Sequence, residues 1–485
     1  MQYEPVIGME VHVELKTKTK MFCGCENGFG LEKEPNIHIC PVCTGQPGAL
    51  PVINEEAVKK VILTALVLNC KIPKLSKFDR KNYFYPDLPK GYQISQYDKP
   101  LSIDGFLEIN NSKIRIRRIH LEEDTGKLVH PAGADYSLVD FNRAGVPLME
   151  LVTEPDIHSA TDAKKFCQEL QLILRYLDVS DADMEKGQMR CEVNISLQAE
   201  DSDKLGTKVE IKNLNSFRAV ERGIEYEIKR QAEALEFGEK ITQETRGWDD
   251  AKQMTISQRT KEEAHDYRYF PEPDLPPLET EEILKTIPTL PEMPQGRRKR
   301  FAQEYKLPSD DIEVLVTKKE TGDYFEEAVS ELKDWAQVAE PKIEVEKLIK
   351  LIANYLITEL QKLLSQSGEA FENLKITPEN FAEFIKLTAQ GVISSSGAQT
   401  VLAEMFKTGA DPSHVIEDKQ LAQVSDEAEL EMAVAEVISK NPGPVDDFKK
   451  GKEKAIMFLV GKVMAVTKGR ANPKIAEEIL KKRLK

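Results

Sequence analysis

The chain has 485 residues, 40% hydrophobic and 31% charged, with 67 Lys+Arg against 82 Asp+Glu and a formal net charge of −15. At roughly 100–200 residues per domain this is chain enough for two to four domains with cores of their own, which excludes a short peptide, a disulfide knot and a fibrous repeat. The longest apolar runs, such as Ala455–Val460, fall short of the ~20 residues a bilayer demands. The N-terminus has neither an apolar signal core nor an Arg/Ser-rich transit segment, so the expectation is a cytoplasmic protein with no membrane partner.

In chain order, Val6–Leu15 alternates, with Met9, Val11, Val13 and Leu15 on one side and Gly8, Glu10, His12 and Glu14 on the other. A period of two marks a half-buried strand. A helix is predicted over Ala57–Leu68 after Asn54-Glu-Glu, and another over Phe166–Leu177 after the capping signal Ser159-Ala-Thr-Asp162. Residues 190–197 and 208–212 alternate again, predicting an antiparallel sheet with one dry face and one charged face. The breaker cluster Leu290-Pro-Glu-Met-Pro-Gln-Gly296, followed by Arg297-Arg-Lys-Arg300, reads as a linker and domain boundary. Beyond it Leu348, Ile349, Leu351, Ile352, Tyr355, Leu356, Leu360, Leu363 and Leu364 form the stripe of a bundle helix. A further break at Lys440-Asn-Pro-Gly-Pro444 reads as separating two helical groups. The fold class is therefore α+β followed by all-α.

Two cysteine pairs, Cys23-Gly-Cys25 and Cys40-Pro-Val-Cys43, suit four thiolates around one structural Zn²⁺, with His38 as a substitute ligand. Cys70, Cys167 and Cys191 stand in apolar or strand contexts and read as core. Phosphate-binding glycine loops are absent in their usual forms. Glu10 and His12 lie on one side of a strand, about 6.5 Å apart, and carboxylates gathered on such a face suit a hard Mg²⁺; standing alone, such a pair is more often solvated than a ligand set. Residues 80–97 and 265–274 interleave bases with aromatics, a composition that either stacks nucleobases or packs as a Tyr/Pro-rich loop. Residues 448–485 hold twelve Lys/Arg against three Glu, a net +9, and removing that segment from the total leaves −24 on residues 1–447. Within it Lys449, Lys450, Lys452, Lys454, Lys462, Lys468, Arg470 and Lys474 fit an RNA backbone.

Longer segments carry a resemblance: Val6–Leu15, Cys40–Pro51, Arg80–Gln96, His120–Lys127, Asn142–Glu150, Gly206–Phe217, Glu244–Trp248 and Asp266–Asp274. In this order they resemble, end to end, the B-subunit family of the bacterial-type aspartyl/glutamyl-tRNA amidotransferases. The resemblance implies an antiparallel-sheet, cradle-like catalytic domain over residues 1–292 with a zinc-binding insertion at about 20–50. A helical linker domain over 293–405 and a small helical YqeY-like, tRNA-binding tail domain over 406–485 would follow. It implies a ligase in a heterotrimer with an amidase subunit (A) and a small C subunit. This subunit would bind Glu-tRNA(Gln) and/or Asp-tRNA(Asn), phosphorylate the side-chain carboxyl with ATP and Mg²⁺, and complete the amide with ammonia from the partner. Consistent with that, the chain offers no low-pKa cysteine beside a base for hydrolysing glutamine itself.

Carried onto this chain, the catalytic and metal set is His12, Glu150 and the pair Glu122/Glu123, with Glu10 beside it. Which of Glu122 and Glu123 faces the site stays open, because the charges of residues 115–118 spoil the alternation that would fix the register. Arg190, Glu192, Asn194 and Lys212 are expected as nucleotide or acceptor-end contacts. A non-catalytic, zinc-containing scaffold for docking tRNA is the alternative.

Overall fold

In the computed structural model, residues 3–28, 34–199, 202, 204–260, 267–338, 344–421, 427–467 and 471–484 are described. The chain divides into two compact units, Met1–Met293 and Pro294–Lys485.

The first unit is built on β1 (Tyr3–Glu14). After the cysteine-bearing segment come α1 (Glu55–Val67), β2 (Leu75–Ser76), β3 (Asp79–Asn82), β4 (Tyr92–Ser95), β5 (Ser102–Ile109), β6 (Ser112–Glu123), β7 (Lys127–Val129), β8 (Leu138–Asp140) and β9 (Pro147–Thr153). Then follow α2 (Ala160–Tyr176), β10 (Met189–Ala199), β11 (Val209–Leu214), α3 (Phe217–Glu236), β12 (Glu244–Asp249), β13 (Met254–Thr260), β14 (Phe270–Pro271), β15 (Leu278–Glu279) and α4 (Thr280–Leu284). Eight strands form one sheet in the order β13-β12-β11-β10-β1-β9-β6-β5, and a small sheet joins β14-β3-β4. One pairing departs from the expected antiparallel pattern: β11 and β12 run parallel, because α3 carries the chain back to the starting edge, as a parallel crossover requires.

The period-two reading of β1 corresponds to burial: Ile7, Met9, Val11 and Val13 are at most 1% exposed. They join one core with Val61 and Ile62 of α1, Phe166 and Leu170 of α2, and Val220 and Ile224 of α3. Helices thus cover one face of the sheet. Both predicted helix starts are capped as the sequence suggested, Asn54 Oδ1 accepting from the Ala57 amide and Ser159 Oγ from the Asp162 amide.

The second unit contains α5 (Pro294–Glu304), α6 (Ser309–Thr317), α7 (Lys319–Val338), α8 (Val345–Asn354), a π-helical stretch Tyr355–Leu360, α9 (Gln361–Ser367), α10 (Pro378–Ala389), α11 (Ser395–Thr408) and α12 (Pro412–Asp418). It ends with α13 (Glu427–Lys440), α14 (Pro442–Lys449), α15 (Lys454–Val466) and α16 (Pro473–Leu484). The linker reading of Arg297–Arg300 is corrected: these residues are helical, and Arg297 is 3% exposed. Its guanidinium lies 2.6 Å from Asp323 and 2.7 Å from Glu326, and Arg300 also pairs with Glu326 while Arg298 pairs with Glu313 of α6, so three of the four bases are tied to neighbouring helices. The break at Lys440–Pro444 is corrected too. Its prolines start α14, and Leu430 and Val434 before it share a core with Leu459, Val463 and Leu480 after it, making one helical group. No described helix is long and apolar enough to cross a membrane.

Candidate active site

The face of the large sheet opposite those helices carries the site. Register places His12 opposite Arg190 on one side and Glu150 on the other, with His120 opposite Glu150 in turn. Arg190, His12, Glu150 and His120 therefore form one row across β10, β1, β9 and β6, with neighbouring strands about 4.8 Å apart. Glu122 lies in the adjoining row, on the same face. Ligand atoms of His12, Glu122 and Glu150 all lie within 4.8 Å of one another.

A register shift in β6 between Ile116 and Arg118 decides which glutamate joins them. Before it Ile114 and Ile116 are buried; after it Ile119 and Leu121 are. The bulge adds one residue and exchanges the faces, so Arg118, His120 and Glu122 share the polar side. Glu123 is therefore corrected out of the cluster. Its carboxylate faces the other way, 2.5 Å from Lys90 Nζ, and accepts the Ile94 amide at 3.0 Å.

The trio is held tightly. Nε2 of His12 and Nε2 of His120 each lie 3.3 Å from Glu150 Oε2. Glu122 Oε2 accepts a 2.9 Å hydrogen bond from the Ser95 hydroxyl and stands 3.7 Å from His120. Burial opposes a charge on His12, yet Glu150, with Glu122 and Glu192 beyond, carries its pKa up to about 9. Despite burial, Glu150 is held well below the usual carboxylate range by His120 and His12, and Glu122 is lowered by Lys81 and His120. Octahedral neighbours at ~2.1 Å from a cation stand ~3 Å apart, close to the 3.3 Å between His12 and Glu150, and with Glu122 within 4.8 Å of both the donor set fits a divalent ion. Uptake would displace the His12 proton.

Glu10 belongs to a second group, not the first. Its carboxylate, with those of Glu192 and Glu210, lies within 4.8 Å of its companions, and burial, then Glu150 and Glu192, raises its pKa. Lys212 Nζ bridges Glu192 at 3.0 Å and Glu210 at 3.7 Å. Asn194 donates to Glu10 at 2.9 Å, while its Oδ1 is buried without a partner. Asn194 also lines a cavity of about 200 Å³, with Val6, Gly8, Arg117, Val152 and Lys208 among others. Arg190 is engaged elsewhere, 2.9 Å from Asp124.

The four cysteine sulfurs also lie within 4.8 Å of one another, with Cys40 and Cys43 3.8 Å apart. Two ligands ~2.3 Å from a tetrahedral zinc have about that spacing. Cys43 accepts from the Cys40 amide at 3.1 Å, and the fully buried Lys20 ammonium lies 3.8 Å from its sulfur. Despite partial burial, hydrogen bonding from Cys23, helped by these two, brings the Cys43 thiol down to about 4. His38 is not part of this group; its ring stands 4.0 Å from Glu26. Gly145, at φ +87°, abuts the group, and a side chain there would meet Cys43 Cβ at 3.3 Å.

Residues 5–285 match the family model described as the GatB/GatE catalytic domain, and residues 323–484 match the one described as the GatB domain. The chain belongs to the GatB/GatE family. It is 50% identical over 490 residues to the B subunit of the aspartyl/glutamyl-tRNA(Asn/Gln) amidotransferase from Caldanaerobacter subterraneus subsp. tengcongensis, covering 100% of both chains. It is likewise 50% identical to the proteins of that name from Persephonella marina, with 100% of both covered, and Thermotoga maritima, with 100% of this chain and 99% of that protein covered.

In this GatB/GatE chain the expected tail residues Lys449, Lys450, Lys452, Lys454, Lys462 and Lys474 are all exposed, while Lys468 and Arg470 lie outside the described residues. Sequence reasoning missed His120, Lys81, Ser95 and Glu210. The signal for His120 was its spacing of two from Glu122, usable only once the bulge is known. Lys81, Ser95 and Glu210 come from separate strands and carry no local signature.

Proposed function

We propose that this chain is the tRNA-binding, ATP-using subunit of an amidotransferase that converts Glu-tRNA(Gln) and/or Asp-tRNA(Asn) to the amidated forms. An A-type amidase subunit supplies ammonia, with a small C subunit completing a heterotrimer in the cytoplasm. The observation that carries this reading is the convergence of His12, Glu122 and Glu150 on the polar face of the sheet, in a chain whose full-length relatives bear that enzyme's name. A docking scaffold has no use for two buried carboxylates gathered with a half-buried histidine.

The chemistry explains why ATP is consumed. A carboxylate is a poor electrophile for ammonia, and phosphorylating it installs a leaving group. Protein catalysis of phosphoryl transfer consists mainly of positioning and electrostatic stabilisation. A Mg²⁺ held by His12, Glu122 and Glu150 would supply charge neutralisation. His120 and Ser95 orient those carboxylates. Arg190, Glu192, Asn194 and Lys212 border the nucleotide or acceptor end, with Asn194 and Lys208 lining the adjoining cavity. Zinc at Cys23, Cys25, Cys40 and Cys43 is structural, since four protein ligands leave no open position. Lys449, Lys450, Lys452, Lys454, Lys462, Lys468, Arg470 and Lys474 bind the tRNA backbone from a tail domain over residues 406–485, which follows the catalytic domain (1–292) and linker domain (293–405) in the chain. The test is amide formation by the reconstituted complex on each mischarged tRNA with ATP and glutamine. Absence of product on both, with ATP untouched, would refute the reading.

A further inference from the structure

A cluster of tyrosines stands beside the trio. The small sheet β14-β3-β4 meets the end of β6. Gln93 donates to the Glu123 carbonyl at 2.6 Å and Ser95 to Glu122 at 2.9 Å. Lys81 is the register partner of Gln93 and Asp79 that of Ser95, so all four side chains share the face turned toward Glu122.

Beside Lys81 runs a continuous series of tyrosine rings. Tyr83 meets Tyr267 edge-on at 5.9 Å, and Tyr267 meets Tyr269 at 6.1 Å. Tyr269 then stacks on Tyr97 at 4.2 Å with 10° between the planes. Lys81 Nζ stands 5.1 Å from the Tyr267 ring centre and 6.0 Å from that of Tyr83, fixing a cation over the series. The outer end is left in water: Tyr97 is 54% exposed.

We propose that this tyrosine ladder stacks the unpaired 3′-terminal nucleotides of the RNA substrate and so delivers the attached amino acid to the trio; the proposal rests on the function given above. Three observations favour RNA over a protein partner. From Phe78 to Tyr97 the exposed large apolar side chains are Phe84, Tyr85 and Tyr97, all aromatic, whereas the cysteine segment exposes the aliphatic Ile37, Ile39, Leu50 and Val52. Every base offers a π-face to such rings, while aliphatic surface serves protein contacts better. The ladder also carries a fixed cation, which suits the adjoining phosphates. Lastly, it ends beside the strand that holds Glu122, where the aminoacyl end must arrive.

The experiment uses the full chain with ammonium chloride as nitrogen source, glutamylated tRNA and ATP, comparing wild type with Tyr97→Ala and Tyr97→Phe. At ~1–3 kcal/mol per stacked base, Tyr97→Ala should raise KM for the aminoacyl-tRNA about tenfold, with KM for ATP unchanged and Tyr97→Phe close to wild type. In parallel, an uncharged tRNA carrying 2-aminopurine in its 3′ end should be quenched by wild type and by Tyr97→Phe but not by Tyr97→Ala. Unchanged KM and quenching in Tyr97→Ala overturn the ladder. Unchanged RNA parameters with lost co-purification of the amidase partner would assign this face to a protein and overturn it equally. Wild type that quenches the probe but never amidates aminoacyl-tRNA would sink the proposed function and leave the ladder standing as an RNA site.

Discussion

On the sheet, Glu122 and Glu150 are buried and meet histidines at 3.3 to 3.7 Å, whereas Lys449, Lys450, Lys454 and Lys474 of the tail stand in solvent. The two regions use charge in opposite ways. At 4 Å a pair of unit charges is worth ~4 kcal/mol where the effective dielectric is about 20, and ~1 kcal/mol in water. Each charge on the sheet therefore depends on specific neighbours and fixes a geometry. Tail charges act by number, over a Debye length, and yield to salt.

The contrast can be broken most severely at Glu150. Glu150→Gln should lower tRNA-dependent ATP consumption by about 10²–10³-fold, the range for losing a buried electrostatic group in a site. Near-normal turnover in a steady-state assay would move the chemistry elsewhere. Next comes the cysteine group, partly buried and proposed as structural. Cys40→Ser with Cys43→Ser should abolish zinc content and lower the thermal midpoint on the order of 5–10 °C while leaving residual transamidation. Complete inactivation with an unshifted circular dichroism melt would contradict that division. In the tail, Lys449→Glu with Lys450→Glu should weaken tRNA binding several-fold at low salt and reduce the slope of log K against log salt by about 2, one per lost phosphate contact. An unchanged slope would show that these lysines touch no phosphate. The smallest effect is expected at Lys452, which pairs with Asp447 at 2.9 Å, both side chains largely solvated. Lys452→Ala should change unfolding free energy by no more than about 0.5 kcal/mol, measured by urea titration.

Regular alternation made β1, β10 and β11 legible, and capping residues made α1 and α2 legible, because period and caps are local properties. Arg297–Arg300 misled because four bases after a Pro/Gly cluster look like a linker, and only their acidic partners on α6 and α7 reveal otherwise. The parallel pairing of β11 and β12 was hidden for a different reason: strand direction depends on where α3 returns the chain. Within the site, His12 and Glu150 stood out through long motifs. The choice between Glu122 and Glu123 did not, nor did Lys81 or Glu210, whose place depends on pairings between distant strands.

The extra residue in β6 works as a phase shifter. Upstream of Ile116–Arg118 the strand gives its even positions to the core, and downstream it gives the odd ones, so a single segment serves first as packing and then as chemistry. Its side chains can be exchanged at modest cost, but its length cannot: removing one residue there would drive His120 and Glu122 into the hydrocarbon core and turn Ile119 and Leu121 toward the substrate. At that point in the chain it is the count of residues, more than their identity, that the reaction depends on.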